Sequence, residues 1–425
     1  MVENREFVRF LSWTSAFIVG VAAIVMALVF VVDPYRIYRL IDQPGFNHIK
    51  PAVGRYQEEI KITGARAIKT NAFILGNSRA EIGFNPEYAG FAQAGLSPYN
   101  LAISGTRIST AKRASAYLRE TGQTPALMVL GLEFIDFLQN AAESKTAITD
   151  TTAALYNTSV KLKNAYPVDQ WKWKFETLFS LASVSDTLDT LLIQRQPEVE
   201  TITPRGFNPL LEYKKYAREQ GYYALFQQRA MENAKNFARK STHQMYAING
   251  AYPDLQDLQK VLSSNSSEHS GNTEIHLIIY PYHAQILMMF EQLGLWPLFE
   301  EWKTLIAKEV AFVQATHPNA SITLWDFSGF SPIQCEKIPS KDHITAATQW
   351  YWEAGHFKST LGDVMLSKIL TKQKAAISDS SFGFLLTSGN IKADQLRIQN
   401  ERATCMATYP ELFADVAKLI KGTQP

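Results

Sequence analysis

The sequence predicts an α/β fold: a three-layer α/β/α, doubly wound parallel sheet with a helical insertion, preceded by a transmembrane helix. Three observations predict it. Short apolar runs without polar alternation recur along the chain, the form strands take when both faces are covered. Helical stretches separate several of them, the order that builds a parallel sheet with sites at the carboxyl ends of its strands. Near the N-terminus, residues 11–32 pass 22 positions without a charged side chain. The chain has 425 residues, 46% hydrophobic and 19% charged, with 42 Lys and Arg against 40 Asp and Glu. Those totals exclude a disordered protein and a strongly nucleic-acid-binding one.

Residues 1–9 form a tail and 10–32 the anchor. At about 1.5 Å per residue the uncharged run crosses a hydrocarbon core of about 30 Å, with Trp13 at one end and Tyr35 and Tyr38 at the other as interfacial residues. The alternative is a cleaved signal peptide. The run exceeds a typical apolar signal region of about 7–15 residues and no small-residue cleavage pattern precedes Asp33-Pro34, which favours an uncleaved anchor. Arg5 and Arg9 before the span are balanced by Arg36 and Arg39 after it, so charge alone does not orient it.

A juxtamembrane segment, 33–70, leads into a sheet domain covering 71–371. Its strands read 72–75, 100–103, 126–132, 275–280 and 322–325, with helices at 109–120, at 284–316 broken near Gly294 and Pro297, and at 357–370. Between the third and fourth strands lies an insertion, 139–272, without a convincing strand. Stretches 169–194 and 209–247 read as long helices, and 263–270 as an exposed Ser-rich loop. Trp171, Trp173, Tyr213, Tyr216, Tyr222 and Tyr223 in the insertion are either core stripes or a platform for sugar rings, and helical spacing favours core. A C-terminal extension spans 372–425. Cys335 and Cys405 are too few for a disulfide scaffold and lack metal-ligand spacing; one bridge and two buried thiols both fit.

The chemistry begins where the first strand ends, at Phe73-Ile74-Leu75-Gly76-Asn77-Ser78-Arg79. A serine directly after a buried strand sits on a sharp turn, with its hydroxyl at the sheet's active edge and its own N–H available to an oxyanion. Alone the motif is weak, because turns with Ser are common. The second piece, 278 residues downstream, is Glu353-Ala354-Gly355-His356. In a loop entering a helix that spacing brings both side chains to one side, so the carboxylate holds Nδ1–H while Nε2 takes the serine proton. A structural histidine among aromatic residues is the competing reading. The acidic partner and the place before a final amphipathic helix argue for the catalytic one.

Gly76-Asn77-Ser78-Arg79, Asn100-Leu101-Ala102-Ile103-Ser104-Gly105-Thr106 and Glu353-x-x-His356 together resemble blocks of the SGNH/GDSL hydrolase superfamily, whose last block is usually Asp-x-x-His. The anchor followed by Asp33-Pro34-Tyr35 and Gly45-Phe46-Asn47 is similar to membrane-anchored members of bacterial envelope and exopolysaccharide systems. DltD-like proteins of teichoic-acid D-alanylation and the SGNH proteins of alginate O-acetylation are examples. The resemblance covers about 71–370 and is only architectural outside the blocks. It implies a serine acyl-enzyme and ester chemistry, with Ser78 as nucleophile and oxyanion donor, His356 as base, Glu353 as its orienter and Gly105 as second oxyanion donor. It further implies single-pass placement in a bacterial cytoplasmic membrane with the catalytic domain outside. The implied substrate is an envelope or exopolysaccharide, with a multi-spanning acyltransferase or synthase as partner.

One departure bears on activity. The superfamily's third block supplies Gly-x-Asn, whereas this chain reads Gly131-Leu132-Glu133, and an ionised carboxylate cannot donate to an oxyanion. Loss of one such donor elsewhere costs about 10²–10³ in rate, which points to a slow or specialised transferase, or to a catalytically inactive scaffold or glycan-binding subunit. Arg79 and Arg107 are expected either to bind an acidic substrate or to pair with Glu133 or Asp136. His283, ending the fourth strand, is expected as a substrate-side residue or competing base, and Asp326 and Asp342 as replacement acids for Glu353. No two histidines share close spacing with acidic partners and no nucleotide-binding fingerprint appears, so neither metal nor cofactor is expected.

Overall fold

Val2–Val32 forms one helix about 45 Å long in this computed structural model, which describes residues 2–140, 166–199, 202–246, 250–266, 273–371 and 382–423. Its stretch Arg5–Val32 is long and apolar enough to cross a membrane. Val29 and Val32 are buried against the rest of the protein, whereas Trp13, Phe17 and Ile18 are exposed. The helix end is tied down by the residues that follow. Asn47 Nδ2 donates to the carbonyls of Val32 (3.1 Å) and Ile41 (2.8 Å), and Lys50 Nζ donates to Val32 O at 2.7 Å. Asp33 accepts from the N–H groups of Ile37, Tyr38 and Arg39, so the junction satisfies its own orphan groups.

The sheet contains β1 (Ala72–Leu75), β2 (Pro98–Asn100), β3 (Leu127–Leu132), β4 (Glu274–Ile279) and β5 (Ser321–Asp326). After them come a small hairpin, β6 (Tyr351–Glu353) with β7 (His356–Phe357), and the short strand β8 (Phe384–Leu385). The large sheet has the order β2-β1-β3-β4-β5-β8, parallel throughout except for β8, which runs antiparallel to β5. β1, β2 and β3 are buried along their whole length, as their apolar runs require.

Winding proceeds from β1 outward to β2 and then back past β1 to β3. With right-handed crossovers, this reversal puts Ser78–Gly83 and Ala89–Gln93 on one face and Ile108–Glu120 on the other. Helix contacts follow the same division. Ser359–Leu370 packs on the first pair, while Pro253–Asn265 packs on both Ile108–Glu120 and Trp296–Thr316. The switch point lies between the carboxyl ends of β1 and β3.

Several expected boundaries shift for local reasons. The run 284–316 divides into Ala284–Gln292 and Trp296–Thr316, with Gly294 at φ +72° between them. β2 starts at Pro98, and 101–103 continues beside β1 only through Leu101 N–H to Ile74 O (2.8 Å) and Ile103 N–H to Gly76 O (3.1 Å). Among the described residues the insertion is helical: Trp171–Leu178, Leu181–Ile193, Leu211–Lys240 and Pro253–Asn265. Part of the expected Ser-rich loop, 267–270, lies outside the described residues. Trp173, Tyr213 and Tyr222 belong to the core, whereas Trp171 and Tyr216 are exposed.

Residues 382–423, expected as an extension beyond the sheet domain, share its core. β8 completes the sheet edge, and Phe382, Ile398, Cys405, Leu412 and Val416 are buried in the main apolar cluster. Lys303 Nζ, fully buried, pairs with Asp326 (2.7 Å) and with Asp394, and Arg397 pairs with Asp394 at 2.7 Å. Cys335 and Cys405 form a disulfide across 70 residues, with Cα atoms 6.2 Å apart. Chain-entropy reasoning puts its contribution at about 4 kcal/mol.

Candidate active site

Ser78 is presented by a strand-to-helix turn. β1 ends at Leu75, and Gly76 adopts φ +141°; a Cβ there would lie 2.6 Å from Tyr280 Oη and 2.9 Å from the Ala80 Cβ, so both conformation and space require glycine. Asn77 Oδ1 accepts Arg79 N–H at 3.1 Å and caps the helix Ser78–Gly83. Ser78 is the first residue of that helix, so its N–H is one of the orphan donors every helix start leaves open. Asn100, wholly buried, ties this helix to the loop after β2. Its Nδ2 donates to Ala80 O and Phe84 O, both 2.9 Å, while its Oδ1 accepts from Ala102 N–H at 3.0 Å.

Glu353 and His356 come from the β6–β7 hairpin and not from a loop entering a helix. A spacing of three fits a tight antiparallel turn as well as a helical one, and here Ala354-Gly355 makes the turn. Glu353 Oε2 accepts Gly355 N–H at 2.7 Å and Glu353 Oε1 accepts from His356 Nδ1. His356 Nε2 lies 2.9 Å from Ser78 Oγ. These partners put the imidazole proton on Nδ1 and leave Nε2 to accept from the serine hydroxyl. The hairpin docks on the serine helix through Phe357, which occupies the space a side chain at Gly83 would fill and meets Phe84 edge-on at 5.5 Å.

Glu353 is 1% exposed. Burial alone would raise its carboxyl, but the His356 charge and hydrogen bond, the Gly355 N–H and Arg229 outweigh burial and hold it below the usual carboxylate range. An acid that must stay ionised beside an imidazole needs that environment.

Gly105 sits at φ +73° on the loop after β2. Among the described residues, neither its N–H nor that of Ser78 has an internal acceptor. Glu133, where the resemblance implies a third donor, is engaged otherwise. Glu133 accepts from Arg79 Nη1 and from Tyr282 Oη (3.0 Å), and the Arg79 guanidinium lies 5.2 Å from the Tyr282 ring centroid. Glu133 is therefore a clamp for Arg79, and Arg79, 12% exposed, is held by that clamp instead of standing open to substrate.

A narrow crevice with an internal volume of about 10 Å³ lies at the switch point, lined by Gly76, Asn77, Arg107, Glu133, Asp136 and neighbours. Arg107 pairs with Asp254 at 2.7 Å, donates to the Asp136 carbonyl, and keeps 42% of its side chain exposed at this crevice. Burial pushes the Asp136 carboxyl up to about 6, against the lowering effect of Arg107 and Arg79.

His283 has no access to a substrate, which corrects the expectation for it. It is fully buried; Nε2 donates to Glu336 O at 2.8 Å, and Nδ1 accepts Gln285 N–H at 3.1 Å to cap the following helix. Burial drives it down to about 4, only partly opposed by the Glu336 carbonyl and the Glu353 charge. A histidine neutral in the fold but protonated when unfolded supplies stability above pH 6.5 that is lost as pH falls toward 4, about 3 kcal/mol in all. His283→Gln is expected to flatten this acid limb, read as urea midpoints between pH 7 and 4.5; an unchanged limb would contradict it. Asp326 is committed to Lys303 and Asp342 is exposed on a loop, so neither replaces Glu353.

Sequence reasoning missed the group behind the loop that carries Gly105. Lys61 and Glu81 form a buried ion pair at 2.8 Å, and Glu81 Oε2 accepts from Ser104 Oγ at 2.5 Å, one residue before Gly105. Nothing local in the sequence marks this pair, because Lys61 and Glu81 stand on different helices, Gln57–Ala67 and Ser78–Gly83. Among the described residues, no group of three potential ligands could hold a metal. No protein-family model matches the chain, and no curated protein matches it either, so the geometry alone carries the functional argument.

Proposed function

We propose that the chain is a membrane-anchored serine esterase or O-acyltransferase of SGNH type, acting on acyl esters, acetyl foremost, of a bacterial envelope polysaccharide or exopolysaccharide. The observation that carries this proposal is the hydrogen-bonded chain Ser78–His356–Glu353 at the carboxyl edge of a parallel sheet, built from segments 278 residues apart. Ser78 Oγ attacks the ester carbonyl while its proton passes to His356 Nε2, and the Glu353 carboxylate stabilises the resulting imidazolium. The oxyanion takes the N–H groups of Ser78 and Gly105, and the leaving alkoxide recovers the proton from His356. Water or a second hydroxyl, deprotonated by His356, then removes the acyl group. The Cys335–Cys405 bridge favours a domain outside the cytoplasmic membrane, because such bonds persist in oxidising compartments.

The test uses the full chain in detergent, with p-nitrophenyl acetate and a fluorophosphonate probe. Turnover and labelling that both vanish in Ser78→Ala and His356→Ala are expected; absence of both in the unaltered protein would overturn the proposal. One observation favours a second reading, an inactive scaffold or glycan-binding subunit of a polysaccharide synthesis machine: Glu133, a clamp on Arg79, stands where a third oxyanion donor is expected. Glycan binding unaffected by Ser78→Ala, with no acyl-enzyme by intact mass, selects it.

A further inference from the structure

The helix Leu181–Ile193 is inside-out for a protein surrounded by water. Its Ser183, Asp186, Thr187 and Thr190 are buried, while Leu181 is 91% exposed, Leu192 80% and Leu188 50%. At 3.6 residues per turn the three leucines share one stripe and the four polar residues share the opposite side. The buried polar groups are all satisfied. Asp186 accepts from Tyr35 Oη at 2.6 Å and from Arg55 Nε at 2.8 Å, Thr187 and Thr190 donate to carbonyls one turn back, and Ser183 N–H meets Ser180 Oγ. The outward apolar face is thus a stable feature of the packing.

The preceding helix, Trp171–Leu178, also carries an outward apolar stripe, while its Trp173 is buried in the core. Trp171, Phe175 and Phe179 recur every fourth residue and are all exposed, with the two phenylalanine rings 5.6 Å apart. Lys172 and Lys174 flank this stripe and are exposed too. Both helices pack against the helix Val2–Val32, and Tyr38, just past its end, reaches Lys174 O (3.3 Å) and Thr177 Oγ1 (3.4 Å). The two exposed apolar stripes therefore stand on helices that pack directly against the one helix in the described residues that is long enough to cross a bilayer.

We propose that Trp171–Leu178 and Leu181–Ile193 form a collar that enters the outer interface of the lipid bilayer beside the anchor. This rests on the anchor reading of Val2–Val32. Two features select lipid over a protein partner: direct packing against the span, and a Leu and aromatic face edged by the exposed Lys172 and Lys174, with Glu176 beside Lys172, as in interfacial helices. Six large apolar side chains facing water would be an aggregation hazard; in the acyl boundary they are at home. The contact would hold the sheet domain at one tilt, with Ser78 at a fixed height above the membrane, and so favours a substrate still near that surface over one far from it.

The experiment places a polarity-sensitive NBD label on single-cysteine variants of the full chain, Leu192→Cys, Phe17→Cys and Lys341→Cys. Each is reconstituted into vesicles of phosphatidylethanolamine and phosphatidylglycerol in equal parts, after mass analysis has shown the Cys335–Cys405 bridge intact. Lipids spin-labelled near the headgroup and along the acyl chain serve as quenchers. Expected are blue-shifted emission and strong quenching at Leu192→Cys by the shallow quencher and at Phe17→Cys by the deep one, with a solvent-like, unquenched label at Lys341→Cys. Quenching at Phe17→Cys with a solvent-like label at Leu192→Cys overturns the collar and leaves the anchor standing. No quenching at Phe17→Cys overturns both. A label at Leu192→Cys that is blue-shifted but untouched by either quencher means that protein covers the face, which also overturns the lipid assignment.

Discussion

Glu353→Gln is expected to leave the fold intact and to lower kcat for ester turnover by about 10⁴-fold, the scale seen when the acid of such a triad becomes an amide. The glutamine oxygen keeps the Gly355 N–H, whose 2.7 Å bond fixes the side chain, and this turns the amide NH₂ toward His356 Nδ1. A donor there selects the tautomer protonated at Nε2, which cannot take the proton of Ser78. The position is 1% exposed, so no water restores the missing charge when the imidazolium forms. Glu353→Asp keeps the charge but shortens the reach, and cannot span both Gly355 N–H and Nδ1; a smaller loss is expected. Fluorophosphonate labelling rates measured beside kcat separate serine activation from later steps. Labelling by Glu353→Gln at the unaltered rate would show that Glu353 supports the hairpin and not the chemistry.

The parts of the fold that were legible share one physical cause. β1 and β3 are buried along their whole length and their apolar runs are uninterrupted; β4 and β5 keep apolar runs at their carboxyl ends, with His276 and Thr323 hydrogen-bonded to each other across the two strands at 2.6 Å. β8 pairs over only two residues and leaves no period to read, which is why 382–423 looked detachable. Ser78, Glu353 and His356, which the structure brings into one hydrogen-bonded chain, were legible as a serine at a strand end and a carboxylate three residues before a histidine, although that spacing did not distinguish a helix start from a hairpin. His283 misled because a place at the sheet edge does not say which way a ring points. Pairs such as Lys61 with Glu81 or Tyr35 with Asp186 join distant segments and carry no local signal. The helical reading of 169–194 left open which side of 181–193 faces outward; that emerges only once Asp186 is seen bonded to Tyr35 and Arg55.

Lys61→Met is expected to destabilise the protein by about 3–5 kcal/mol, because it strands a buried carboxylate rather than merely removing a contact. Lys61 Nζ lies 2.8 Å from Glu81 Oε1 and donates to Gly206 O at 2.9 Å and to Ala102 O, with both charged side chains 1% exposed. Burial lowers the Lys61 pKa, opposed by the charge and hydrogen bond of Glu81. Glu81 also accepts from Gln57 Nε2 (2.6 Å) and Ser104 Oγ (2.5 Å), and through Ser104 it braces the loop that carries the Gly105 N–H. Stability and positioning can therefore be separated. In Lys61→Met/Glu81→Leu an apolar pair of similar volume replaces the ions, an exchange that is often neutral or better, so the thermal midpoint should recover most of what the single change lost. Ser104 then has no acceptor, the loop loses its brace, and kcat should remain low while KM changes little, since the missing contact is one made to the oxyanion. A double variant that regains both midpoint and kcat would show that the buried pair serves folding alone and that Gly105 is held by its own backbone.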